Sequence, residues 1–261
     1  AERIDEVLNT KVSIEDKPDT NANPVANGEV AFEHVSFAYP GAKENVLEDI
    51  SFVAKTGQTT AIIGGTGSGK TTLVNLIPRF FDVTKGKVMV DGTDIREMSQ
   101  ESLREAIGYV PQKGVLFSGT IASNLRYGKE DATKEQVMDA ACIAQAKEII
   151  DGKKDGLDSA IAQGGSNVSG GQKQRFSIAR AIVKDPKIYI FDDSFSALDY
   201  KTDAILRREL SKKTKEAAVI IVAQRISTIL HAEQIIVLNE GKVAGIGTHQ
   251  ELFDHCAVYR E

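Results

Sequence analysis

Gly64-Gly65-Thr66-Gly67-Ser68-Gly69-Lys70-Thr71 fits the phosphate-binding pattern G-x-x-x-x-G-K-[ST] at every constrained position. Its glycines let the backbone curl until successive N–H groups converge on phosphate oxygens. Thr59 to Ile63, just before it, reads as a short buried strand, and a helix is expected after it from Gly69 to about Phe80. Strand, loop and helix in that order bring the phosphates to a helix N-terminus, where the backbone dipole favours anions. Lys70 is placed to reach the β- and γ-phosphates and the Thr71 hydroxyl to ligate Mg2+. Gly65, Thr66, Gly67, Ser68, Gly69 and Thr72 complete the expected cradle. The expected ligand is therefore a nucleoside triphosphate with Mg2+.

Outward from the loop the apolar pattern alternates between strands and helices. Val30, Phe32 and Val35 suggest one strand and Ile50, Phe52 and Val53 another. Lys87-Val88-Met89-Val90 reads as a strand closed by the Asp91-Gly92 turn. The stretch Thr133 to Lys184 is helical in character, broken by glycines between Gly164 and Gly171. Apolar strands return at Lys187 to Phe191, Val219 to Val222 and Ile235 to Leu238, separated by helix-like segments, which is the signature of an α/β sheet.

Bulk properties narrow the function. The 261 residues are 41% hydrophobic and 26% charged, enough apolar material for a substantial core. A net charge of -5 argues against a nucleic-acid partner, which needs a clustered basic excess. The two cysteines, Cys142 and Cys256, have no metal-like spacing and offer no disulfide framework. The longest apolar run, Ala217 to Ala223, is far short of the roughly 20 residues that span a bilayer. Ala1 to Leu8 reads as an amphipathic helix with Ile4, Val7 and Leu8 on one face, and Lys17 to Gly28 has linker chemistry.

Downstream, Val168-Ser169-Gly170-Gly171-Gln172 opens a helix running from Gln172 to about Val183, and Ile188-Tyr189-Ile190-Phe191-Asp192 follows. Together with the glycine loop, this order resembles the ATP-binding domain of ABC transporters along nearly the whole chain. That resemblance implies a P-loop NTPase (RecA-like) α/β core with an antiparallel β-subdomain and an α-helical subdomain, the last at about 113–183. It makes Tyr39 the aromatic that stacks on adenine, Gln112 the Q-loop glutamine at Mg2+, Asp192 the Walker B carboxylate at the same ion, and Ser196 to Asp199 the D-loop. In this family two such domains pair head to tail, so Ser169, Gly171 and Gln172 are expected to act on nucleotide held by a second ATP-binding domain.

Leu116-Phe117-Ser118-Gly119-Thr120-Ile121 and Gly247-Thr248-His249-Gln250-Glu251-Leu252 resemble the exporter branch. That likeness implies attachment to a transmembrane domain and its coupling helices, at the cytoplasmic face of the cell membrane. Residues 1–22 are then a residual helix and linker following that domain, and 23–261 the ATP-binding domain.

Two positions and one dipeptide depart from the family pattern. Asp193 stands where the family has glutamate as general base for the attacking water, Gln224 stands for the switch histidine, and Ala162-Gln163 replaces Gly-Glu before the signature. Asp is one methylene shorter than Glu, drawing its carboxylate back by about 1 Å, a displacement that can cost about 100-fold in rate. Glutamine can hydrogen-bond to phosphate but cannot carry charge or relay a proton as imidazole does. The pair resembles the degenerate half of heterodimeric bacterial multidrug exporters, whose partner is a non-identical subunit with a full catalytic site. A purely regulatory, non-hydrolytic nucleotide sensor is the alternative.

Overall fold

The computed structural model describes Asn9, residues 13–20 and residues 22–260, apart from the Ser227 side chain. The amphipathic stretch Ala1 to Leu8 lies outside the described residues.

A six-stranded sheet carries the fold. It is built from β3 (Thr59–Gly64), β6 (Ile107–Val110), β9 (Ile188–Asp192), β10 (Ala218–Val222), β11 (Gln234–Asn239) and β12 (Lys242–Gly247). Their spatial order is β12-β11-β3-β10-β9-β6. Every pair is parallel except β11 with β12. A second, antiparallel sheet has the order β2-β1-β4-β5, from β1 (Val30–Phe37), β2 (Leu47–Ala54), β4 (Lys85–Val90) and β5 (Thr93–Asp94). Two-residue strands β7 (Gly119–Thr120) and β8 (Ala160–Ile161) form a small ladder of their own.

The central strands read as continuous apolar runs because both their faces are buried. Successive side chains point to opposite faces, and here they feed two cores. Val219 and Ile221, Tyr189 and Phe191, and Ile235 and Val237 join the core shared with the helices Ile121–Arg126, Lys134–Ile143 and Gly170–Lys184. Ile220 and Val222, Ile188 and Ile190, and Ile236 and Leu238 join the core shared with the antiparallel sheet and the helix Lys70–Leu76. Each such side chain contributes roughly 1.5–3 kcal/mol on burial. The sheet is thereby pinned from both sides, which fixes the loops at its edge. Among the described residues no helix is long and apolar enough to cross a membrane.

Several boundaries differ from the sequence reading. The helix after the glycine loop ends at Leu76, not near Phe80. Its end is closed by Arg79 N–H on Leu76 O (3.1 Å) and Phe80 N–H on Asn75 O (3.2 Å), with Arg79 at φ 54. That is a Schellman turn, with an arginine in the left-handed position that glycine usually takes. Arg79 is held there by its bond to Asp82 (2.7 Å) and by burial. The stretch 133–184 is less helical than expected, because β8 and short 3-10 turns occupy its middle. The signature helix starts at Gly170, two residues early, since Ser169 caps it.

Candidate nucleotide site

The predicted site residues converge because they sit at the ends of neighbouring parallel strands. The glycine loop leaves β3, Asp192 ends β9 and Asp193 follows it, Gln224 follows β10 and Gln112 follows β6. β3, β10, β9 and β6 are consecutive neighbours, so their carboxyl ends open on one crevice, the usual ligand position in open α/β sheets.

Within the loop, Gly64, Gly67 and Gly69 have φ of 154, 79 and 96. At Gly64 a side-chain carbon would stand 2.2 Å from Leu238 O, so glycine is required for the fold. Over Gly65 and Gly67 such a carbon would meet nothing within 4 Å, which leaves an open cradle lined by backbone. Lys70 Nζ donates to Gly64 O and Gly65 O, both at 2.7 Å, and lies at its rim. Burial lowers the Lys70 pKa, against the raising influence of Asp193 and Asp192. Tyr39 is held edge-on by Phe37 and Phe81, with its hydroxyl 2.8 Å from Thr72 Oγ1. That places an aromatic ring at the start of the phosphate-binding helix.

Asp192 is 4% exposed. Its Oδ1 accepts from the Thr71 hydroxyl at 3.1 Å. Burial raises its pKa, partly offset by the hydrogen bonds from Thr71 and Tyr109. Among the described residues no three His, Cys, Asp or Glu side chains could hold a metal ion together. A hydroxyl beside a single carboxylate suits Mg2+, which takes one or two carboxylates and completes its shell with phosphates and water. Thr71 and Asp192 fit that ion.

Asp193 and its partners form the second half of the constellation. Its φ of 49 swings the side chain off the strand line, a conformation aspartate tolerates better than most residues. Its Oδ2 accepts from Gln112 Nε2 at 3.0 Å and from Gln224 Nε2 at 2.9 Å. Two of the departures, Asp193 and Gln224, and one match, Gln112, thus meet at one oxygen atom. Ser169 and Gln172 instead cap their own helix in a reciprocal box, Gln172 N–H on Ser169 Oγ at 3.3 Å and Ser169 N–H on Gln172 Oε1 at 3.1 Å. Among the described residues no hydrogen bond joins Ser169, Gly171 or Gln172 to the glycine loop, and Ser169 is exposed. Gly171 faces Ala197 O, which a side-chain carbon would approach to 3.4 Å.

Two brackets around these groups are not marked by any sequence motif. Gln174, 1% exposed, donates to Pro111 O (3.0 Å) and accepts from Gly114 N–H (2.8 Å), fixing the segment that carries Gln112. Arg225 donates to Leu198 O (3.2 Å) and Ser196 O (2.9 Å) and lies over the Tyr200 ring, tying the Gln224 segment to residues 196–199. A glutamine on the apolar side of a helix was the available signal for Gln174; nothing local marks Arg225.

Comparison with known proteins agrees with this geometry. The family model described as ABC transporter matches residues 47–196, more than half of the chain. An uncharacterized ABC transporter ATP-binding protein of Mycobacterium bovis is 48% identical over 266 aligned residues, covering 100% of this chain and 45% of that protein. An ATP-dependent lipid A-core flippase of Legionella pneumophila is 44% identical across 87% of this chain and 38% of its own length. The chain thus spans about half the length, or less, of these curated relatives. The solved structure of a bacterial Atm1-family ABC exporter with ATP bound superimposes with a TM-score of 0.94 at 35% identity, over 99% of this chain and 45% of that one. The chain belongs to the ABC transporter family, as an ATP-binding domain of the exporter type.

Proposed function

We propose that this chain binds MgATP, closes on a second, non-identical ATP-binding domain, and powers export through a transmembrane domain at the cytoplasmic face of the membrane. Lys70, Gly65 to Gly69 and Thr72 hold the phosphates, and Tyr39 takes the adenine. Thr71, Asp192 and Gln112 serve Mg2+, whose charge screens the phosphates. Ser169, Gly171 and Gln172 complete the partner's site. The cargo belongs to the small, lipophilic class, by analogy with the exporter relatives.

The chain's own site turns over slowly, and the observation that carries this is the shared oxygen of Asp193. A carboxylate oxygen already accepting from Gln112 and Gln224 has its lone pairs engaged, so an attacking water must displace an amide to reach it. A positioned general base is worth roughly 10²–10⁴-fold, and neither glutamine can take up the proton. The expected result is tight MgATP binding with negligible turnover by the chain alone, and turnover restored when a domain with glutamate and histidine at these positions is added. Brisk turnover by the chain alone would sink the reading. Exchanging both residues, Asp193→Glu with Gln224→His, is expected to raise turnover at this site at least about tenfold in the pair.

A further inference from the structure

Tyr109 lies two residues before the end of the segment that leads to Gln112, and nothing in the site assignment above uses it. Its ring is half-buried and edge-on to Phe80, with centroids 5.9 Å apart, and the Arg104 guanidinium lies over the Phe80 ring at 5.7 Å. Packing therefore fixes the ring without the hydroxyl. The hydroxyl points inward, 2.9 Å from Asn75 Oδ1 and 3.4 Å from Asp192 Oδ2. The two oxygens of Asp192 are thus divided: Oδ1 faces the Thr71 hydroxyl and Oδ2 faces Tyr109.

We propose that Tyr109 is the positioning residue that sets the plane of the Asp192 carboxylate for Mg2+. The assignment rests on the reading of Asp192 as the carboxylate at that ion. A carboxylate on a strand end can rotate about its last bond, and a donor on each oxygen removes that freedom. The tyrosine has one proton and two acceptors. As arranged, the shorter bond goes to Asn75 on the helix Lys70–Leu76. Turning the Asn75 amide over makes its Nδ2 the donor to the tyrosine oxygen and releases the proton to Asp192. The chain Asn75–Tyr109–Asp192 then runs in one direction and ends on the group that faces the metal. Outer partners that orient a ligating carboxylate typically change metal affinity by about 10–100-fold.

The test is an Mg2+ titration of ATP binding, followed by fluorescence of a bound ATP analogue, beside ATP binding measured in EDTA. In Tyr109→Phe, which keeps the ring between Phe80 and the core, the half-saturating Mg2+ concentration is expected to rise on the order of tenfold, with metal-free ATP binding unchanged. In Asn75→Ala, which leaves Asp192 as the one acceptor for the Tyr109 proton, the Mg2+ response is expected to stay as strong or to strengthen. A Tyr109→Phe response like the original, or an equal loss with and without metal, would overturn the proposal. So would an Asn75→Ala loss as large as that of Tyr109→Phe. Asp192→Asn separates the two readings. If it abolishes the Mg2+ response while Tyr109→Phe does not, only the role of Tyr109 falls; if it too leaves the response intact, the assignment of Asp192 falls with it.

Discussion

Gly64 and Gly67 lie three residues apart in one loop and answer to different demands. A methyl group on Gly64 would drive into Leu238 O on the neighbouring strand, at 2.2 Å and with φ 154. On Gly67 it would meet nothing within 4 Å and suffer only the strain of φ 79. Gly64→Ala is therefore expected to destabilise the chain by on the order of 3 kcal/mol or more, read by chemical denaturation. Gly67→Ala is expected to cost only about 1–2 kcal/mol of stability yet to reduce ATP binding severely, because the methyl enters the space that the phosphates need. Titrating ATP against both variants checks this; retention of full affinity in Gly67→Ala would show that the phosphates lie elsewhere. The same economy of atoms applies at Asp193, whose single oxygen collects both glutamine amides.

At the scale of elements, the helix Gly170–Lys184 links two functions through its two kinds of polar residue. Its first turn is capped by Ser169, so Ser169→Ala is expected to cost about 1 kcal/mol of stability and to leave the chain's own ATP binding untouched. Turnover at the site of an added partner domain is expected to fall in the same variant; an unaffected partner would remove the signature from that site. Farther along, Gln174 fills both its hydrogen-bonding groups on the backbone around Gln112. Gln174→Ala leaves Gly114 N–H and Pro111 C=O without those partners, an expected loss of about 2–3 kcal/mol. It should also loosen the segment holding Gln112, visible as faster amide hydrogen exchange at residues 112–114. Much of this was legible beforehand. The glycine loop and the apolar strands announce themselves because each obeys a local rule of spacing or chemistry. Gln174, Tyr109 and Arg225 did not, since what makes them matter is a partner 63, 83 or 27 residues away. The early end of the helix at Leu76 was hidden for a related reason: an arginine occupies a glycine's conformation, stabilised by the buried contacts it makes.

For the whole molecule, the feature that matters is that Ser169 is exposed and caps its own helix, with no hydrogen bond to the glycine loop among the described residues. Under the proposed function, this chain would work in a pair, lending Ser169, Gly171 and Gln172 outward while keeping its own nucleotide. The two sites of a closed pair then differ in what they hold. After brief turnover on ATP labelled in the adenine ring and rapid trapping, the site containing this chain's Lys70 is expected to retain ATP, while the partner's site holds ADP. Exchanging Asp193→Glu and Gln224→His together should shift this chain's site toward ADP as well, since it supplies a longer carboxylate and an imidazole in place of an amide. Equal amounts of ADP in both sites before the exchange would mean that the hydrogen bonds to Asp193 Oδ2 give way when the pair closes, leaving aspartate able to serve as the base. ATP retained after the exchange would instead place the defect outside these two side chains, with Ala162-Gln163 before the signature as the next departure to repair.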